Sequence, residues 1–111
     1  MRRREYLGSF ELVVMLALMR LGQGAYGVPI SREIEEATGR EVAIGSVYAT
    51  LARLEAKGLV FSNIGEPTPE RGGRAKRYFT VTGEGQREVR QTQHALKTLS
   101  QGVPQLQGGT I

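Results

Sequence analysis

Apolar residues recur at helical spacing through the first part of the chain. The pattern predicts a helix over Ser9–Leu21, with Ser9 as its N-cap and Gly22 as its stop. So many of its positions are apolar that the helix should be buried on most sides. Its core-facing residues are Phe10, Val13, Val14, Ala17, Leu18 and Leu21.

Two shorter helices are predicted next. The first has Pro29 in its first turn, where a missing N–H is tolerated, and ends at Gly39. The second is predicted over the segment IGSVYATLARLEAKG and ends with Gly58 at C′. One face of this third helix is apolar and should be buried: Val47, Leu51 and Leu54.

The period then changes from helical to alternating. Leu59–Ile64 and Lys76–Val81 are predicted as two strands, joined by the loop GEPTPERGGR, which is too long for a tight turn. If Tyr78 faces the core, alternation places Lys76 on the same side or along the edge, and Arg77 faces outward. A last helix is predicted after the second strand, and the fold class is mainly α with a small β-hairpin (α+β).

Composition adds a basic balance to this picture. The 111 residues carry a formal net charge of +4, and two groups of cations stand out, Arg2–Arg4 and the segment from Arg71 to Arg77. The chain has no cysteine, which fits a reducing compartment, and its apolar runs are too short to span a bilayer. No secretory signal is evident, so we expect a cytoplasmic protein without a membrane partner.

Two short helices joined by a small turn, the second polar at its start, are typical of a helix-turn-helix that binds duplex DNA. Burying the apolar face of the third helix leaves small and polar side chains for phosphates or base edges. The candidate DNA-binding residues of this helix are Gly45, Ser46, Tyr48, Ala49, Thr50 and Arg53. Two alternatives stay open: Ser46 could cap the helix, and Tyr48 could be an amphipathic core residue.

The loop between the strands has the composition of a wing. Arginine neutralises phosphate and can enter a narrow minor groove, and glycine lets the backbone approach closely. The candidate wing contacts are Arg71, Gly72, Gly73, Arg74 and Lys76. A solvated hairpin tip, and a small helical bundle without DNA binding, are the structural alternatives.

Three segments together resemble the PadR family of transcriptional regulators. They are LGSFELVVMLALMRLG, AYGVPISREIEEATGREVAIGSVYATLARLEAKGLV and PERGGRAKRYFTVTGEG, which run from Leu7 to Gly85. The resemblance implies a winged helix-turn-helix, a homodimer and repression of a nearby promoter. It also implies a recognition helix beginning near Gly45 and a wing over Gly65–Arg77.

The resemblance further implies that the last helix dimerises, often together with the first. Thr82 can cap this helix, which is predicted from Gly83 to about Leu99. A single C-terminal helix is typical of the smaller PadR subfamily. We therefore assign residues 7–82 to the DNA-binding domain, 83–101 to a dimerisation helix and 102–111 to a flexible tail. The candidate dimer contacts are Val89, Leu96 and Leu99, although packing within one domain remains an alternative for them.

Rival functions find less support in the sequence. The chain has no Asp or Cys and one histidine, His94, so we predict no enzyme activity, no catalytic or metal-binding residue and no cofactor. A winged helix used for protein or RNA contacts is the alternative function. The predicted partners are double-stranded DNA and a second copy of the chain, and whether a small-molecule inducer binds stays open.

Overall fold

A computed structural model describes residues 6–23, 25–65 and 76–107. Within these residues the fold consists of four α-helices and one antiparallel hairpin, which confirms the predicted α+β class. The elements in chain order are α1 (Ser9–Leu21), α2 (Gly27–Thr38), α3 (Ile44–Ala56), β1 (Val60–Ile64), β2 (Arg77–Val81) and α4 (Gly83–Ser100). A short 3-10 helix over Pro104–Leu106 follows, within the segment predicted as a tail.

The bounds of α1 are as predicted, but its N-cap is Gly8 rather than Ser9. Gly8 has an extended backbone, and its N–H donates to the carboxylate of Glu11, 3.1 Å away. That contact is one half of a capping box. Because this half is a bond to the backbone of the N-cap residue, it requires no side chain there. The capping signal therefore lay in Glu11, and Ser9 is simply the first helical residue.

The core is a single cluster with α1 at its centre. Met15 and Leu18 of α1 are buried, and so are Ile30 of α2 and the predicted inward face of α3. The other buried apolar side chains of this cluster are Val14, Ala17, Ala25, Ile34, Val47, Leu51, Leu54, Leu59, Val60, Phe79 and Val89. Because α1 is covered by α2, α3, β2 and α4, it is the hydrophobic central helix that its sequence predicts.

The hairpin pairs β1 with β2 from Val60 opposite Val81 to Ile64 opposite Arg77. Phe79, not Tyr78, is the core residue of β2, so the condition under which Lys76 would face the core does not hold. Phe79 also donates its N–H to the carbonyl of Ala25, 2.8 Å away, so the loop before α2 adds a one-residue bridge to the sheet.

The turn after α3 fixes the start of the hairpin. Gly58 has φ of 78°, its N–H donates to the Glu55 carbonyl at 3.0 Å, and the N–H of Leu59 donates to the Leu54 carbonyl at 2.9 Å. This pair of bonds is a Schellman motif. It uses the N–H of Leu59 for the helix end, which is why the strand begins at Val60 and not at Leu59 as predicted.

The start of α4 is docked on the same turn. Thr82 accepts a hydrogen bond from the N–H of Gly85 at 3.0 Å, as a cap should, and its hydroxyl donates to the carbonyl of Gly58 at 2.8 Å. Gly85 is buried there, and a Cβ on it would lie 2.2 Å from the carbonyl oxygen of Leu59. The sequence therefore needs glycine at this position for α4 to approach the turn.

The inward face of α4 corrects one prediction about dimerisation. Val89 is 2% exposed in the single chain and belongs to the core, so it has no surface left for a partner. Thr92 of the same helix is buried as well, and its hydroxyl accepts a hydrogen bond from the N–H of Leu7 at 3.3 Å. Helical spacing alone did not separate the face that packs on α1 from the face that stays outside.

We expect Gly85→Ala to lower the free energy of unfolding by about 3 kcal/mol, since its methyl group would overlap backbone that cannot rotate away. Urea denaturation of the purified chain measures this value. Gly83→Ala is the matched control, because no atom lies within 4 Å of a Cβ at that position, on the same helix. A Gly85→Ala variant as stable as the control would contradict the close packing of α4 on the turn.

Candidate nucleic-acid interface

The outer face of α3 is exposed and carries mostly small side chains. Gly45, Ser46, Ala49 and Arg53 are all exposed and follow one another at helical spacing, as predicted. A helix with small side chains on its outer face can bring its backbone close to a groove wall. We call these four residues the α3 face.

Ser46 is the third residue of α3, so it is not the N-cap that was considered as an alternative. The N-cap is Ala43, which has no side-chain cap hydrogen bond. The exposed Ser46 therefore lies in the first turn of the helix, on the α3 face.

The prediction that Thr50 is exposed is wrong. Thr50 is 1% exposed and lies on the inward side of α3 with Val47, Leu51 and Leu54. The sequence suggested a narrow apolar stripe at positions i, i+4 and i+7, but a packed helix also covers position i+3. The Thr50 hydroxyl accepts a hydrogen bond from Nη2 of Arg53 at 3.1 Å, so it contacts a candidate binding residue rather than solvent.

Tyr48 joins α3 to the beginning of α2. Its side chain lies against Gly27, where a Cβ would be 2.3 Å from the tyrosine hydroxyl oxygen. The residue is nevertheless 43% exposed, so one side of the ring packs and the other faces solvent. This is the amphipathic arrangement considered from the sequence, with the hydroxyl near the helix-turn-helix surface.

An aromatic pair joins the base of the hairpin to α2. The rings of Tyr26, the N-cap of α2, and Tyr78 of β2 meet edge to face with centroids 5.6 Å apart. The ammonium of Lys76 lies 5.0 Å from the centre of the Tyr26 ring, a cation–π contact. Lys76 therefore has a fixed place at the base of the predicted wing. The other four predicted wing contacts, Arg71, Gly72, Gly73 and Arg74, lie outside the described residues.

Glu11 is a functional candidate that the sequence analysis did not single out. Its carboxylate lies 2.9 Å from Nζ of Lys57 and 3.9 Å from Nε of Arg53, and it also accepts the Gly8 N–H. Burial raises the pKa of Glu11, but the Lys57 and Gly8 hydrogen bonds and the charges of Lys57 and Arg53 outweigh burial, so the pKa lies below its ordinary value of 4.5. The signal in the sequence that could have identified Glu11 is its position three residues after Gly8, which is the spacing of a capping box.

The outer side of α4 leaves two of the predicted dimer contacts exposed. Leu96 is 54% exposed and Leu99 is 75% exposed. Leu99 lines an open groove of about 550 Å³ between α4 and the N-terminal segment, together with Tyr6 and His94. We call this groove, together with the exposed Leu96, the α4 surface.

Two general findings concern the described part of the chain. None of the helices there is long and apolar enough to cross a bilayer. Among the same residues, no three or more His, Cys, Asp or Glu side chains are grouped so that they could hold a metal ion.

The helix-turn-helix of α2 and α3, followed by a hairpin, defines the class of winged-helix regulators. The sequence matches the transcriptional regulator PadR-like family over residues 15–91. The chain belongs to this family, and the predicted resemblance is confirmed.

Individual relatives agree with this assignment. A PadR family transcription regulator from hypervirulent Clostridium difficile has the same fold, with a TM-score of 0.72 at 20% identity over 88% of this chain and 97% of that one. A regulator of the same family from Eggerthella lenta gives a TM-score of 0.68 at 28% identity over 87% and 82%. An uncharacterized 37.1 kDa transposon protein from Streptomyces fradiae is 37% identical over 87 residues. These residues are 78% of this chain, which spans only 23% of that protein's length.

The lowered pKa of Glu11 makes a prediction about acid stability. A carboxylate whose pKa is depressed by folding stabilises the fold above its ordinary pKa, and the stabilisation is lost as pH falls through the folded value. We expect Glu11→Gln to lower the free energy of unfolding by about 1 to 2 kcal/mol near pH 7. This difference from the wild type should shrink as pH falls below 4.5.

Urea denaturation at several pH values measures this difference. The matched control is Glu84→Gln, because Glu84 pairs with Arg87 at 3.0 Å but is more than half exposed, and such surface pairs contribute little. A constant difference between wild type and Glu11→Gln down to about pH 3 would show that the ionised carboxylate is not what stabilises the fold.

Proposed function

We propose that this chain represses transcription as a homodimer that binds an inverted-repeat operator in double-stranded DNA. Membership of the PadR-like family supports a DNA-binding regulator. The observation that carries the proposal is the α3 face. It is exposed on the second helix of a helix-turn-helix, is built of small residues and carries a cation, Arg53, at its C-terminal end.

The α3 face suits the major groove, which admits one helix whose outer side chains are short enough to reach base edges. Gly45 and Ala49 add no length, and Ser46 offers a hydroxyl that both donates and accepts. Arg53 at the end of this face, and Tyr48 beside it, carry donors suited to phosphate oxygens. Ser46 is the described residue best placed to read a base, and Thr50 is too deeply buried to do so.

The wing, predicted over residues 65–77, would follow the DNA backbone beside α3. Four cations stand between Arg71 and Arg77, two of them preceding or following adjacent glycines. The contacts of Tyr26 with Tyr78 and Lys76 support this role, since they tie the base of the wing to the start of α2. Arg71, Arg74 and Lys76 are proposed to contact phosphates or the minor groove.

Dimerisation is proposed to use the α4 surface with Leu96 and Leu99. Two-fold symmetry would place two α3 helices in major grooves one turn, ~34 Å, apart, and this spacing requires an operator with inverted half-sites. Repression would follow because a bound dimer occupies promoter DNA. The proposed site of action is the cytoplasm, and an inducer would act by changing the angle between the two halves.

The proposal is tested by selecting bound fragments from genomic DNA with the purified chain, then measuring affinity for an enriched fragment at several salt concentrations. If about 6 to 8 phosphates are neutralised per dimer, log K should fall against log salt with a slope of roughly −5 to −7. An enriched inverted repeat with this slope supports a dimeric DNA-binding repressor. Binding that barely depends on salt, with no enriched sequence, favours the alternative of a protein-contact module.

We expect Ala49→Glu to weaken operator binding by about 100-fold or more, because it places a long anionic side chain on the α3 face against phosphate and base acceptors. Gel shifts with the enriched fragment measure the loss. The matched control is Gln93→Glu, which makes the same change in charge at an exposed position of α4. Equal affinity of Ala49→Glu and wild type would exclude the α3 face from the interface.

We expect the double variant Leu96→Glu and Leu99→Glu to be a monomer in light scattering, because it places four like charges, two from each copy, in the proposed dimer contact. Both side chains are exposed in the single chain, so the fold should tolerate the change. Gln86→Glu with Arg90→Glu, two exposed positions nearer the start of α4, is the control and should remain a dimer. A double leucine variant that remains a dimer would place the interface elsewhere.

A further inference from the structure

Two other side chains contact the Arg53 guanidinium in the DNA-free protein. Its Nη2 donates to the buried Thr50 hydroxyl at 3.1 Å, and its Nε lies 3.9 Å from a carboxylate oxygen of Glu11. These contacts use one edge of the guanidinium, and Nη1 is the nitrogen they do not use. The side chain is still 57% exposed, so it is oriented without being covered.

The carboxylate that faces Arg53 is itself fixed. The Glu11 side chain is only 12% exposed, one oxygen accepts the Gly8 N–H at 3.1 Å, and the other accepts a hydrogen bond from Lys57 at 2.9 Å. Glu11 is the third residue of α1, the central helix of the core. The Glu11 carboxylate, which we call the anchor for Arg53, therefore belongs to the central helix of the core, and its position is fixed.

We propose that Glu11 is a positioning residue for DNA binding that, with Thr50, presents the Arg53 guanidinium to a phosphate of the DNA backbone. This inference rests on the proposed function. A free arginine loses side-chain rotamer freedom when it binds phosphate, and prior ordering by Glu11 and Thr50 removes part of that cost. Lys57, by contrast, gives a hydrogen bond to Glu11 and is the cation that holds the anchor in place.

A positioning role for Glu11 and an effect of net charge alone predict opposite changes in the affinity for DNA. Removing the Glu11 charge makes the protein more positive beside α3, so charge counting predicts tighter binding to every DNA sequence. Positioning predicts weaker binding, because the Arg53 guanidinium is no longer oriented. The sign of the change in affinity therefore decides between them.

The test compares wild type with Glu11→Gln for binding to the enriched operator and to a scrambled duplex of equal length. We expect Glu11→Gln to weaken binding to both by about fivefold to tenfold, since a phosphate contact is independent of sequence. The matched control is Glu33→Gln, which removes the same charge from a carboxylate paired with Arg20 on the other side of α1. It should bind as tightly as wild type or slightly more tightly.

Two further variants separate positioning from loss of stability. Thr50→Val keeps the buried volume but removes the other contact to Arg53, and it should weaken binding in the same direction. In an Arg53→Ala background, Glu11→Gln should cause no further loss, because nothing remains to be positioned. All measurements are made at a temperature where circular dichroism shows each variant folded.

A readout on the free protein completes the test. In wild type, NMR relaxation of the Arg53 guanidinium nitrogens should show restricted motion of the side chain, and this restriction should weaken in Glu11→Gln. Tighter or unchanged DNA binding by a folded Glu11→Gln variant would overturn the inference while leaving the proposed function intact. Failure of the wild-type chain to bind any duplex would instead overturn the proposed function and this inference with it.

Discussion

The turn at Gly58 and Leu59 is the constraint on which the arrangement of the functional elements depends. It ends α3 with a Schellman motif, begins β1, and receives the start of α4 through Thr82 and the close approach of Gly85. The helix proposed to enter DNA, the first strand of the hairpin and the helix proposed to dimerise therefore meet within two residues. Because the contacts are to backbone carbonyls, their geometry has little freedom. A rotation of α4 would therefore displace the backbone at the end of α3.

The sequence was most informative where a local signal and a packing requirement coincide. The bounds of α1, the glycine that ends α3 and the cap at Thr82 were predicted because each is set by neighbouring residues. The buried face of α3 was predicted for its apolar members but not for Thr50, whose hydroxyl is covered by a neighbouring arginine. A polar side chain that finds its partner on its own helix does not look buried in a hydrophobicity pattern.

The errors on α4 have a different physical origin. Val89 and Leu96 lie seven residues apart, and a seam of that spacing looks the same from the sequence whether the partner is α1 of the same chain or a second copy. The structure divides them, with Val89 in the core and Leu96 exposed. One contact on the buried side of α4 is the hydrogen bond from the Leu7 N–H to the Thr92 hydroxyl. No local pattern contains a contact between residues so distant in the chain.

The net charge of the chain overstates the number of cations that can meet DNA. Lys57 is engaged by Glu11, and Arg77 donates to Ser62, which in turn donates to the Glu55 carboxylate. These cations stabilise the surface around α3 through contacts within the protein. A smaller set of cations therefore remains to contact phosphates. For a single small domain such a set supplies a modest affinity, since each phosphate contact contributes a limited, salt-dependent share. In the proposed dimer, joining two such domains through α4 would multiply the contacts without enlarging either surface.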